Sequence, residues 1–409
     1  MKKIKLFNIY KFELPLKNEL NIKNNKLYGI REGLLINIET NEGLSGFGEI
    51  SPLPFFHSES FKDAVLQVNE LRQNSNFLQK IENLLEDTFK CDLFIESKNM
   101  GIKIPKKESN REVFEKGFTD FLFKLNSVFS EINFYPSVRT GIEMAIISLV
   151  FFNPGLEKIL QSIPDPNLPV CKLIIDLKKD LKKEMTEIIK NEFKTIKIKV
   201  GRGFTEDESD SIKKIRMLII KNHLENVVLR IDANGLWSLK EAIYFGKSIG
   251  TDLIEYMEDP LSKISEYEQF FKETQIPIAL DEKLLELIDL NKINEENWKR
   301  PDYLKAIIIK PDHIGGFYKT ASLIYFAKKY NIKTVLSNSF NSSLLVSFIV
   351  LFAGIMNISD VALGLDTLKL FDRNLIAEDI EIVKGRINIL EIFKNIKKIN
   401  YNLLSSVGF

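Results

Sequence analysis

Apolar and polar residues alternate with period two through "IKLFNIYKFEL" (Ile4–Leu14) and "GLLINIET" (Gly33–Thr40). After the turn "NEG" the alternation resumes in "LSGFGEI". Successive side chains of a strand point to opposite faces, so this rhythm predicts an antiparallel meander. Between Phe61 and Phe129 the spacing of apolar positions becomes helical, in a Lys/Glu/Phe-rich stretch broken by "MGIKIPKKESN", which reads as an exposed loop. From residue 136 the rhythm changes again. Short β-branched runs, "PVCKLIID", "TIKIKV", "VVLRID", "LIEYME", "PIALD", "KAIIIK", "KTVLS" and "DVALG", alternate with amphipathic segments such as "FYKTASLIYFAKKY".

Runs of strand recurring roughly every 25–30 residues with helices between them predict an α/β fold, a (β/α)8-type barrel. An open doubly wound sheet competes, but no glycine-rich phosphate loop follows the first run. The expected organisation is an α+β capping domain over residues 1–135, a catalytic barrel over 136–368, and a C-terminal segment, 369–409, that returns to the cap. That last segment, "LFDRNLIAEDIEIVKGRINI" and beyond, reads as a strand or two returning to the first domain, with "KNIKKIN" as a solvated charge run.

Composition narrows the partners. With 57 basic and 56 acidic residues the chain lacks the positive surface that nucleic acid or an anionic membrane demands. The N-terminus has no sustained apolar core of the signal-peptide kind. The longest apolar run, Leu344–Met356, falls short of the ~18 residues of a membrane span and reads as a buried helix. Cys91 and Cys171 fit no metal or redox spacing, which implies a reducing compartment. A cytoplasmic protein is expected, with its oligomeric state left open.

In a barrel, reactive side chains sit where strands end and βα loops begin. The second run carries Lys197 and Lys199, one pleat apart; the third ends in Asp232, with Asn234 just beyond. The fourth ends in Glu258, the fifth in Asp281, the sixth in Lys310, and the seventh in Ser337, followed by Asn338. One such acid alone is more simply a helix N-cap. Three on successive strands, flanked by lysines at the ends of apolar runs, are costly unless a cation sits among them. All-oxygen donors select a hard divalent ion, Mg²⁺ (or Mn²⁺). A desolvated lysine near a cation can act as a base near neutral pH, which fits Lys199, with Lys310 facing it and Lys197 lowering its pKa. The expected substrate is a small carboxylate lying between the lysines, with Lys197, Asn234, Ser337 and Asn338 as contacts. His57 and His313 can be read as lid and acid, but more simply as loop and helix-start residues. His223 reads as surface, Trp237 as packing, and "GRGF" (Gly201–Phe204) as a turn too short for a nucleotide loop.

These residues resemble the enolase superfamily, in the branch with a lysine-x-lysine strand. The likeness runs from "GFGEISPLPFFHSES" (Gly46–Ser60) through "SVRTGIEMAIISL" (Ser137–Leu149) to "KPDHIGG" (Lys310–Gly316) and "GLDT" (Gly364–Thr367). Within it, "GEISPLPFFHSES" and "LSNSFNSSL" are similar to the corresponding segments of the o-succinylbenzoate synthases, the dehydratases of menaquinone biosynthesis. The resemblance implies a Mg²⁺ site of Asp232, Glu258 and Asp281, with Lys199 as the base and Lys310 stabilising an enediolate. The chain departs from the pattern at Asn341, where a glutamate is usual, at Asn338, where a serine is usual, and in an enlarged cap between Phe61 and Phe129. A racemase of N-acylamino acids or an epimerase of dipeptides would use the same lysines, but "VALGLDT" lacks the epimerases' Asp-x-Asp segment. A non-catalytic scaffold is the third reading, and the intact set of buried charges speaks against it.

Overall fold

The computed structural model describes residues 3–21, 27–90, 110–178, 180–224, 226–290 and 298–407. Of the expected loop Met100–Asn110, all but Asn110 lies outside these residues, as does Cys91. The alternating N-terminal segments form strands β1 (Ile4–Asn21), β2 (Leu27–Thr40) and β3 (Ser45–Ile50) of an antiparallel sheet. A short C-terminal strand, β13 (Leu404–Ser406), joins the edge of this sheet beside β1. Helices Phe61–Gln73, Ser75–Lys90 and Asn110–Phe129 follow the meander, matching the helical spacing of that stretch.

Helix Pro136–Phe151 lies against β3 so closely that the glycines become obligatory. A Cβ on Gly48 would stand 1.9 Å from the Gly141 carbonyl oxygen, and one on Gly46 2.0 Å from that of Ala145. Only a bare α-carbon permits backbone to approach backbone at this distance.

The second half builds a parallel sheet in the order β11-β10-β9-β8-β7-β6-β5. Its strands are β5 (Lys172–Ile174), β6 (Thr195–Lys199), β7 (Val228–Asp232), β8 (Ile254–Glu258), β9 (Ile278–Leu280), β10 (Leu304–Ile309) and β11 (Lys333–Leu336). The eighth expected strand does not form a ladder. Instead Leu363 bridges to Val170 and Gly364 to Ser337, both in parallel, closing the ring through two single contacts. Gly364 lies so near Ser337 that a Cβ would meet its Oγ at 2.6 Å, so this seam is tight but short. The apolar run expected as a buried helix is helix Ser343–Ile355, buried at every residue. Among the described residues no helix is long and apolar enough to cross a membrane.

Of the returning C-terminal strands, only β13 reaches the cap sheet. β12 (Arg386–Asn388) pairs with β4 (Asn167–Pro169), which leads into the barrel. Buried carboxylates hold the starts of three helices, and one of them ties the N-terminal sheet to the barrel half. Glu49 of β3 accepts from the backbone N–H of Ser342 and of Leu345 (3.0 and 3.1 Å), at the N-terminus of helix Ser343–Ile355. Glu59 accepts from Ser137 N–H and Oγ, and Glu143 from the N–H groups of Phe317 and Tyr318, each opening another helix. Carboxylates suit these positions because the first turn of a helix leaves N–H groups unpaired and carries partial positive charge.

Candidate active site

Register sets the site. Lys199, Asp232, Glu258 and Ala279 are Cα partners in turn across β6, β7, β8 and β9, and one pleat lower Lys197 pairs with Arg230 and Arg230 with Tyr256. Period two therefore sends both lysines of β6 to the face that Asp232 and Glu258 share, while Ile196, Ile198 and Val200 are fully buried on the other. Asp281 follows β9 directly and Lys310 follows β10 directly, so both stand at the same end of the barrel.

The charges meet in one network. Lys197 Nζ contacts Asp232 Oδ2 at 2.8 Å and Glu258 Oε1 at 2.5 Å. Lys199 Nζ lies 2.7 Å from Asp232 Oδ2 and donates to Asn234 Oδ1 at 3.0 Å, while Lys310 Nζ sits 2.5 Å from Asp281 Oδ2. Burial and environment then separate the lysines. Burial lowers the Lys199 ammonium below its ordinary value, helped by the charges of Lys197 and Lys310 and opposed by Asp232. Burial acts the same way on Lys310, but Asp281 outweighs it and Lys310 is raised. Lys197 is raised further, since Asp232, Glu258 and Asp281 all favour its charged form over the cost of burial. Among the acids, burial and the neighbouring Asp232 push Glu258 well above the carboxylate range, whereas Lys197 and Lys199 hold Asp232 below it against burial.

The polar candidates divide. Asn234 accepts from Lys199 and donates its N–H and Nδ2 to Asp232 Oδ1 at 3.1 and 2.9 Å, fixing one end of the network. Ser337 Oγ and Asn338 Nδ2 both donate to the Gly364 carbonyl, and Asn338 Oδ1 accepts from Thr367 Oγ1; these groups tie the barrel seam. Lys199 opens onto a cleft of about 990 Å³, lined also by Lys178, Arg202, Phe204, Phe340 and Leu370. The "GRGF" turn curls its N–H groups at residues 201, 202 and 203 onto the Glu208 carboxylate. His223 is exposed, and Trp237 packs its ring on Phe245.

Sequence reasoning did not foresee how the cap reaches this end of the barrel. The His57 side chain is wholly buried; its Nδ1 accepts from Leu53 N–H, which leaves the proton on Nε2, 3.5 Å from Asp312 Oδ2. Phe56, beside it, sets its ring 5.6 Å from Lys310 Nζ. Asp312 also accepts from Asn341 Nδ2 at 3.0 Å and from Ser339 Oγ. Burial would raise the Asp312 carboxyl, but His57 and Asn341 hold it well below the carboxylate range. This accounts for Asn341: a glutamate there would face the Asp312 carboxylate in a buried site. The "H" of "PLPFFHSES" and the "D" of "KPDHIGG" were the signal, legible only once the two segments are known to touch.

Among the described residues no three acid, histidine or cysteine side chains stand gathered as a metal-ligating set. The cations among the three acids are ammonium groups. Even so, the donor chemistry fits a hard divalent ion. Asp232, Glu258 and Asp281 offer only oxygen, and Glu258 Oε2 is buried with no hydrogen-bond partner. An ion bound there would take the place of Lys197 and Lys310 on Asp232, Glu258 and Asp281.

Comparison with known proteins agrees with this architecture. Residues 180–392 match the family described as enolase C-terminal domain-like, and residues 3–87 match the MenC N-terminal domain. The o-succinylbenzoate synthase of Vibrio cholerae is 26% identical over 370 residues, 90% of each chain. Protein PHYLLO, chloroplastic, of Arabidopsis thaliana is 25% identical over 81% of this chain, which spans 18% of that much longer protein. Among solved structures, a dipeptide epimerase from Cytophaga hutchinsonii, complexed with Mg and the dipeptide D-Ala-L-Val, has a TM-score of 0.70 at 19% identity, covering 95% of this chain and 93% of its own. MenC from Desulfotalea psychrophila has a TM-score of 0.69 at 18% identity, over 93% and 99%. The chain belongs to the enolase superfamily, with a barrel of the enolase C-terminal type behind a MenC-type N-terminal domain.

Proposed function

We propose that this protein is an o-succinylbenzoate synthase, a hydro-lyase that removes water from 2-succinyl-6-hydroxy-2,4-cyclohexadiene-1-carboxylate to give 2-succinylbenzoate. The observation that carries the reading is geometric: two buried lysines, Lys199 beside Asp232 and Lys310 beside Asp281, stand on either flank of the three acids at one end of the barrel. Burial biases Lys199 toward its neutral form, while Asp281 favours the charged form of Lys310. A base must be neutral to accept a proton, and an electrostatic stabiliser must stay charged. The MenC-type N-terminal domain and the o-succinylbenzoate synthase relatives support the choice of substrate.

Asp232, Glu258 and Asp281 would hold Mg²⁺, or Mn²⁺, which supplies positive charge to the substrate carboxylate. Neutral Lys199 takes the proton from the carbon bearing that carboxylate. The electron pair moves toward the carboxylate, where the Lys310 ammonium stabilises the enediolate. The pair then returns to form the ring double bond as the C–O bond to the hydroxyl breaks, and Lys199 gives its proton to the departing hydroxide. Water leaves, and aromatisation makes the step favourable. Asn234 orients Lys199, and Lys197 keeps its pKa low. The division into cap (1–135), barrel (136–368) and return segment (369–409) belongs to the same proposal.

An epimerase or racemase would use Lys199 and Lys310 alternately on opposite faces of one carbon, and the fold likeness to a dipeptide epimerase keeps that reading in view. The test is to incubate the protein with the cyclohexadiene acid and Mg²⁺ and follow the ultraviolet absorbance of the aromatic product. Exchange of deuterium into an N-succinylamino acid is measured alongside. Rapid aromatisation is expected; exchange without aromatisation would move the assignment to the racemase, and the absence of both reactions would overturn the proposal.

A further inference from the structure

Asp259 follows Glu258 at the end of β8 and is almost fully buried. Its Oδ2 accepts from three consecutive backbone N–H groups of the next loop: Asp281 at 3.3 Å, Glu282 at 2.8 Å and Lys283 at 3.3 Å. Its Oδ1 accepts from Tyr267 Oη at 3.2 Å. Its own carbonyl accepts from Gly235 N–H at 2.7 Å in the loop after Asp232, and its N–H donates to Ala279 O at 3.0 Å. This one residue therefore joins the loops that follow β7, β8 and β9, the three strands whose ends carry the acids. Its φ of +36° is unusual for a residue with a side chain, and such a conformation persists only where surrounding contacts enforce it. With four donors on two oxygens the carboxylate is fully engaged and is no ligand itself.

We infer that Asp259 is a positioning residue that fixes the spacing of Asp232, Glu258 and Asp281 for a divalent ion. The inference rests on the metal-site reading above. A carboxylate gripping the Asp281 loop by three amides restrains where the Asp281 side chain can go, and groups supporting metal ligands in this way typically matter by about 10–100-fold in affinity.

The test measures Mn²⁺ binding by electron paramagnetic resonance and Mg²⁺ binding by calorimetry, on the full chain without substrate, with circular dichroism to verify folding. The parent should bind one ion and Asp281→Ala should lose it; a parent that binds none, or an unaffected Asp281→Ala, would sink the metal-site reading itself. With those controls in place, Asp259→Ala is expected to weaken Mn²⁺ binding at least about tenfold at temperatures far below its melting point. Asp259→Asn keeps the volume and one acceptor oxygen, so it should recover part of that loss, and it carries the test where the alanine variant fails to fold. A purely structural role would lower the melting temperature of either variant without moving its affinity. Binding within twofold of the parent in a folded variant would overturn the inference.

Discussion

The "GE" of "GEISPLP" belongs to the segment that most resembles a family signature, yet Glu49 touches none of the reactive groups. Its carboxylate accepts four hydrogen bonds: from Ser51 Oγ (2.7 Å), Ser342 N–H (3.0 Å), Ser342 Oγ (2.5 Å) and Leu345 N–H (3.1 Å). Glu49→Ala removes the acceptor for all four. The two hydroxyls can rotate to other partners; the two N–H groups cannot, and both are buried. Hydrogen bonds to a charged acceptor contribute about 1.5–3 kcal/mol each, and a negative charge at a helix N-terminus adds about 0.3–1 kcal/mol. Allowing for partial relaxation, the loss comes to about 4 kcal/mol.

For a chain of 409 residues melting as one unit, the unfolding entropy is about 0.9 kcal/mol/K, so the melting temperature should fall by about 5 °C. Scanning calorimetry gives that shift, and turnover at 20 °C should stay within about threefold of the parent, since catalysis does not pass through Glu49. Glu49→Gln, which keeps one acceptor oxygen but turns an amide donor on the helix start, should fall between the two. A hundredfold loss of turnover with an unchanged melting temperature would refute the capping role and make Glu49 part of the chemistry.

The lysines give two further predictions. Lys199→Met and Lys310→Met should each lower turnover by about 10³-fold or more while circular dichroism stays native; a near-parental rate in either would refute the proposed roles. Activity should rise with pH as Lys199 loses its proton, and because Lys199 is lowered this rise should lie below the ordinary lysine value of 10.5. Lys197→Met removes a charge that lowers Lys199 and frees Asp232 to favour the ammonium, so the acid limb of kcat/KM should move to higher pH; a shift to lower pH would contradict the network.

The sequence discloses what depends on local period and strand order. Lys199, Asp232, Glu258, Asp281 and Lys310 each end an apolar run, and a parallel sheet places the ends of such runs together. What it conceals depends on partners far apart in the chain. Glu49 pairs with the start of a helix almost 300 residues away, and His57 meets Asp312 across the cap–barrel boundary. Asp259 reads in sequence as one more loop acid, because its donors are backbone N–H groups that carry no residue identity. The eighth run looks like a full strand, since composition cannot show that Leu363 and Gly364 make only single bridges. Nor does composition show that the acids lie against lysines rather than around one point. That outcome depends on ammonium groups long enough to reach Asp232, Glu258 and Asp281 from β6 and β10.

The charge count at the barrel mouth leads to a last prediction. Three basic groups, Lys197, Lys199 and Lys310, face three acids, Asp232, Glu258 and Asp281, and a proton resting on Glu258 instead of Lys199 leaves the sum unchanged. The network is therefore close to neutral and has little net attraction for an anion. A divalent ion held by Asp232, Glu258 and Asp281 would add two positive charges and would leave the ammonium groups free to face a ligand. Affinity for a dianion such as 2-succinylbenzoate should therefore depend on the metal. At an effective dielectric of about 20, one unit charge about 8 Å from another is worth about 2 kcal/mol, so even partial realisation predicts at least tenfold tighter binding with Mg²⁺ than after chelation. Calorimetric titration of the product in Mg²⁺ and in EDTA measures this directly. Equal dissociation constants would mean that the lysines alone recognise the carboxylates, and the acids would then have no part in binding the substrate.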